Sequence, residues 1–88
     1  MGSFPVYQLS CSQFEDLLLK LQTAGLVICN KPGLVEVADP QTSAKLTIEG
    51  LKKFPGHFGV FYNTRDKANR SFAARIKPLI CDSGGIEI

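Results

Sequence analysis

The side chains able to do acid–base or nucleophilic chemistry are few and scattered. His57 is the only histidine, and it sits in Pro55-Gly56-His57-Phe58, a turn running into an apolar segment. No Cys, Ser or carboxylate stands at a spacing that predicts a nucleophile–base pair with it. Cys11, Cys29 and Cys81 are an odd number without a Cys-x-x-Cys pair, so neither a complete disulfide framework nor a zinc knuckle can be drawn. They read as reduced thiols, mostly packed as small apolar groups. The eight glycines are scattered at turns and form no phosphate-cradling loop. The expectation is a chain that is not an enzyme and takes no cofactor, no metal and no small-molecule substrate.

The charged residues say more. The net charge of +2 hides a segregation. From 45 to 77, Lys45, Lys52, Lys53, Arg65, Lys67, Arg70, Arg75 and Lys77 stand against only Glu49 and Asp66, a balance of +6. The remainder holds Lys20 and Lys31 against Glu15, Asp16, Glu36, Asp39, Asp82 and Glu87, a balance of −4. A basic half on a nearly neutral chain points to polyanion contact, because Lys and Arg gain affinity there by releasing counterions. A solvated charged surface gives the same pattern.

Positioning these groups takes a folded scaffold, and 88 residues with 44% apolar and 20% charged side chains suffice for one domain and no more. The longest apolar run is far below the ~18–20 residues of a membrane span, and no secretory layout opens the chain. A cytoplasmic or nuclear module without membrane contact is the expectation. Met1-Gly2-Ser3 is not a myristoylation start, since Val6 occupies the position that should be Ser or Thr. Asn69-Arg70-Ser71 fits a glycosylation triplet but falls inside a predicted helix.

Ser12-Gln13-Phe14-Glu15 fits a capping box, Phe14, Leu17, Leu18 and Leu21 form one apolar stripe, and Gly25 supplies a left-handed stop. A helix over 12–24 follows. Leu26-Val27-Ile28 is a short apolar run before the Lys31-Pro32-Gly33 turn, and Leu34-Val35-Glu36-Val37 reads as a strand. Leu46 and Ile48 alternate with Lys45, Thr47 and Glu49 as a second strand, and 57–62 reads as a third. Thr64 is placed to cap a second helix, with Asp66 in its first turn. Ala68, Phe72, Ile76 and Leu79 then share one face, with Lys67, Arg70 and Lys77 roughly opposite. Pro78 is expected to kink or end that helix. Residues 81–88 form a tail around Gly84-Gly85 with room for a short Ile86-Glu87-Ile88 strand.

The simplest burial for this order is a two-layer α+β sandwich, α-β-β-β-α, with a three-stranded antiparallel sheet and both helices on one face. Residues 10–80 form the domain, with tails at 1–9 and 81–88. Thr64-Arg65-Asp66-Lys67-Ala68-Asn69 followed by Phe72-Ala73-Ala74 resembles the second-helix motif of the double-stranded RNA-binding domain family. Pro32-Gly33-Leu34 is similar to that family's entry to its first strand, and Asp39-Pro40 to its first hairpin loop. The likeness spans about residues 10–80. It implies a phosphate-gripping cluster at the start of the second helix, of which only Arg65 remains, with Asp66 and Asn69 where lysines are expected. It implies a loop side chain reaching the minor groove, where Thr42 stands instead of His and could at best reach a 2′-hydroxyl.

Period-2 alternation turns Phe58, Val60 and Tyr62 toward the helices and Gly59 and Phe61 outward, on a strand at the sheet edge or beside it. Leu34 stands on the same outer face. Covering a large apolar side chain contributes ~1.5–3 kcal/mol, so the candidate protein-interaction residues are Leu34 and Phe61 together with Phe58, Val60 and Tyr62. Ile86 and Ile88 of the tail could fold back over them instead. The leading expectation is a protein–protein or dimerisation module, and the family likeness implies a small-RNA silencing complex. The alternative is direct double-stranded RNA binding through Arg65, Lys67, Arg70, Lys52 and Lys53, with Gln13 and Thr42 as polar contacts. A winged-helix nucleic-acid module trails, because it needs three helices.

Overall fold

In the computed structural model, which describes residues 5–88, the chain runs β1 (Tyr7–Ser10), α1 (Cys11–Thr23), β2 (Val27–Lys31), β3 (Leu34–Ala38), β4 (Lys45–Gly50), β5 (His57–Phe61), α2 (Lys67–Asp82) and β6 (Ile86–Glu87). The Met1-Gly2-Ser3 start lies outside the described residues. The class is α+β, with two helices and a six-stranded antiparallel sheet among the described residues, in the order β2-β3-β4-β5-β1-β6. The expected three-stranded sheet is therefore only its β3-β4-β5 part. β2 extends one side, and β1 with β6 extends the other. No described helix is long and apolar enough to cross a membrane.

Alternation explains the layer between sheet and helices. Tyr7, Val60, Ile48 and Val35 are successive register partners across four strands, and all four are buried. Leu17 and Leu21 of α1 and Phe72, Ile76 and Ile80 of α2 complete one cluster with them, so both helices lie on the same face. The Phe14 ring stacks on Phe58 with centroids 4.3 Å apart. The segment read as an N-terminal tail supplies β1, because Tyr7 and Leu9 alternate inward with Gln8 and Ser10. The β1–β5 and β5–β4 pairings make β5 an interior strand, where an edge position or its neighbour was expected.

The helix ends differ from expectation for local reasons. α1 is capped by Ser10, whose hydroxyl accepts from Gln13 N–H while Gln13 Oε1 accepts from Ser10 N–H at 2.8 Å. Ser10 ends a strand, so its backbone already has the extended geometry a cap needs. α2 is capped by Asp66, not Thr64, through Ala68 and Asn69 N–H. It runs through Pro78 to Asp82, because Pro78 and the carbonyl-bearing Ala74 four residues earlier both lie on the exposed face, where water serves the orphaned acceptor.

Both helices stop with the same pair of bonds. Gly25 N–H donates to Gln22 and Leu26 N–H to Leu21, while Gly84 N–H donates to Cys81 and Gly85 N–H to Ile80. Gly25 and Gly84 hold φ of 84° and 97°, the left-handed region. Gly25→Ala is expected to cost about 1–2 kcal/mol, the strain alone, since nothing lies near its absent Cβ. Gly84→Ala should cost more, because a Cβ there would meet the Gln13 amide at 2.5 Å and loosen the cap of α1 as well. Equal urea midpoints for the two variants would refute that linkage.

Candidate functional site

The β3–β4 loop meets the first half of α2. Arg75 pairs with Asp39, and Asn69 Oδ1 accepts from the Lys45 backbone N–H at 3.0 Å. These two ties fix the loop against the helix and leave a shallow groove of about 570 Å³ lined by Thr42, Lys67, Ala68, Ser71, Phe72 and Arg75. Gln41 N–H donates to Asp39 at 2.9 Å, and this donor, aided by the Arg75 guanidinium, holds the Asp39 carboxyl below its usual range against the opposing effect of burial. Arg75 also lies over the Phe72 ring at 5.5 Å.

Ion pairing sorts the cations. Lys20 pairs with Asp16, Lys31 with Glu36, Arg75 with Asp39 and Lys77 with Glu87. Among the described residues, Lys45, Lys52, Lys53, Arg65, Lys67 and Arg70 have no carboxylate partner. All six lie in the basic stretch. They do not form one patch, however. Arg65, Lys67 and Arg70 surround the start of α2, and the Asn69 bond brings the start of β4, with Lys45, to them. Lys52 and Lys53 follow the far end of β4, about 17–20 Å away at ~3.4 Å per strand residue.

Gln13 belongs to that far end too, and its side-chain oxygen is already engaged in capping α1. Thr42 lines the groove, with its hydroxyl accepting from Ala44 N–H. Asp66 is exposed at the start of α2 and accepts from two of its backbone N–H groups. Asn69, standing where a lysine is expected, is buried and ties α2 to β4. Lys45 is the member of this cluster that motif matching passed over. Its signal was its place in the basic run, without any hint of the fold that brings it to α2.

The outer sheet face is rearranged as well. Phe61 is partly exposed there, as alternation predicts. Val60 is fully buried, and Phe58 and Tyr62 pack against the core, so these three support the surface without forming it. Leu34 shares the face with Phe61, but Thr47 and Glu49 of β4 stand between them. What closes around Phe61 is Leu51 and Pro5. A Cβ on Gly59 would lie 2.8 Å from each and 3.0 Å from the Phe61 ring, so the missing side chain is what lets them gather. Ile86 and Ile88 do not fold over this patch. β6 pairs beside β1, and both isoleucines are more than 60% exposed.

The cysteines are not packed as small apolar groups. Cys11, Cys29 and Cys81 are all exposed free thiols, each on the solvent side of its element. Comparison with family models, with characterised proteins and with solved structures finds no match for the chain.

Proposed function

We propose that the chain is a non-catalytic interaction module resembling double-stranded RNA-binding domains, which joins proteins or dimerises through the edge or the outer face of its sheet. The setting implied by that resemblance is a small-RNA silencing complex in the cytoplasm or nucleus. The observation that carries the reading is the apolar surface beyond the core: Phe61, Leu51 and Pro5, partly exposed around Gly59, and Val27 on β2, half exposed. The cations that would grip a duplex are divided between two ends of the sheet, which weakens the competing reading.

That competing reading is direct duplex RNA binding, favoured by the unpaired Lys45, Arg65, Lys67 and Arg70 around the Thr42 groove. Salt separates the two, since a phosphate contact releases counterions and an apolar contact does not. A duplex RNA of about 20 base pairs, long enough for the ~16 pairs such domains span, is titrated across salt concentrations beside sedimentation of the free protein. The expected result is self-association that survives high salt with only weak retention of the duplex. Tight, steeply salt-dependent duplex binding by a monomer would reverse the assignment. In that case Lys67→Ala should lower the salt slope by about one.

A further inference from the structure

The sheet has two ends, and they are not equivalent. β6 is two residues long, and Glu87 lies on it. β2 is five residues, Val27-Ile28-Cys29-Asn30-Lys31, with no proline and no charge before its last position. Natural edges are usually blunted by such features, and this one is not.

Hydrogen-bond parity shows which groups β2 leaves open. Lys31 and Leu34 flank the two-residue Pro32-Gly33 turn and are register partners, so they form the closing bonded pair of the hairpin. Alternation then makes Cys29 with Glu36 and Val27 with Ala38 bonded pairs. The far side of β3 agrees. Asp39 N–H donates to Ala44, which turns the backbone groups of Val35 and Val37 toward β4 and those of Leu34, Glu36 and Ala38 toward β2. On β2, therefore, Val27, Cys29 and Lys31 bond inward, and the N–H and C=O groups of Ile28 and Asn30 face out of the sheet.

We infer that this edge pairs with the same edge of a second copy, antiparallel, about a two-fold axis through Cys29. Opposite Asn30 of the second copy, Ile28 exchanges both backbone bonds, and symmetry repeats the exchange. No other symmetric register does this. Centring on Ile28 sets Asn30 against Leu26, whose N–H is already given to Leu21. Centring on Asn30 sets Ile28 against Pro32, which has no N–H. The chosen register also opposes no like charges. Lys31 of one copy lies across from the half-exposed Val27 of the other, where its aliphatic stem can cover the valine. The two six-stranded sheets become continuous, and the most open edge in the fold disappears.

The inference rests on the protein-interaction reading and commits it to one surface and one partner. The outer-face patch at Phe61 is three strands from β2, about 14 Å, so the two surfaces can be tested apart. The axis sets Cys29 against its mate in a non-bonded pair, with Cα atoms about 4.5 Å apart, within the range a disulfide tolerates.

The full chain is followed by sedimentation equilibrium from micromolar to millimolar concentration. The expected mass approaches twice 9.6 kDa. Asn30→Pro removes an N–H that the monomer's own ladder does not use, so the expected result is a folded monomer by circular dichroism, while Phe61→Asp still dimerises. In a Cys11→Ser, Cys81→Ser background, diamide should take two electrons and two protons from the paired Cys29 thiols and link the chains. With Cys29→Ser added and the thiol moved by Val27→Cys, linkage should be lost. If Asn30→Pro does not fold, the thiol pair decides alone. A monomer at every concentration, or equal linkage at both thiol positions, would overturn the inference. Dimerisation that survives Asn30→Pro but is lost in Phe61→Asp would overturn the edge and leave the interaction reading standing. A monomer that binds duplex RNA tightly would sink both.

Discussion

Phe72→Ala is expected to lower the free energy of unfolding by about 3–5 kcal/mol, the range for emptying a buried aromatic site. Phe72 is 1% exposed and belongs to the cluster that both helices form with the sheet. A domain of this length holds only about 4–13 kcal/mol in all, so the substitution removes a large part of its stability. The site cannot collapse easily, because the Asn69 bond to Lys45 and the Arg75 pair with Asp39 hold α2 at a fixed distance from the β3–β4 loop. The variant also removes the ring on which Arg75 lies, and so widens the groove. Urea unfolding at neutral pH measures the effect as a lower midpoint with an unchanged slope. A loss below about 1 kcal/mol would mean that the loop closes over the gap, contrary to the two ties.

The second large effect is expected in alkali. Burial, with the Glu87 carboxylate adding to it, pushes the Tyr7 phenol up to about 12 from its ordinary 10.0. In the unfolded chain the phenol ionises near 10, and in the folded chain it stays protonated until about 12. Between those values the unfolded state binds fewer protons, so stability falls as pH rises. It is fully present below pH 10 and lost through the interval, by about 3 kcal/mol at 1.36 kcal/mol per unit. Tyr7→Phe keeps the ring in the core and removes the titrating group. Its stability should fall less over the same pH range, and the difference between the two curves isolates the phenol from the exposed lysines. Parallel curves would show that β1 opens before the phenol ionises.

The same strand shows where sequence reading stops. β1 has four residues and two inward positions, Tyr7 and Leu9, too short a pattern to separate from a tail. Its partner β5 lies some fifty residues away, and no local signal joins them. The cap of α1 is a sharper case. Ser10-Cys11-Ser12-Gln13 and Ser12-Gln13-Phe14-Glu15 both fit a capping box. The choice falls to Ser10 because β1 ends there with an extended backbone, a fact of tertiary pairing. Pro78 misled for a related reason. Its local effect is unfavourable, but Ile76 and Ile80 hold the helix on the sheet to either side of it, and the unpaired acceptor faces water.

For the candidate surfaces, the basic run and the outward position of Phe61 were legible. The split of the cations was not, because β4 carries Lys45 and Lys52 to opposite ends of the sheet, and a count along the chain has no direction in space. Leu51 and Pro5 were also invisible, since what gathers them is the side chain Gly59 lacks.

The amino-acid order alone determined which face of β3, β4, β5 and both helices turns inward, and where α1 stops. Alternation, an apolar stripe and a glycine in the left-handed region are local properties of side chains and backbone. Only the tertiary structure decided which strands are neighbours, and so which backbone groups remain open at Ile28 and Asn30. The physical reason is that N–H and C=O groups are nearly the same on every residue. Periodicity can tell a strand which way to face, but it carries no name for the strand beside it.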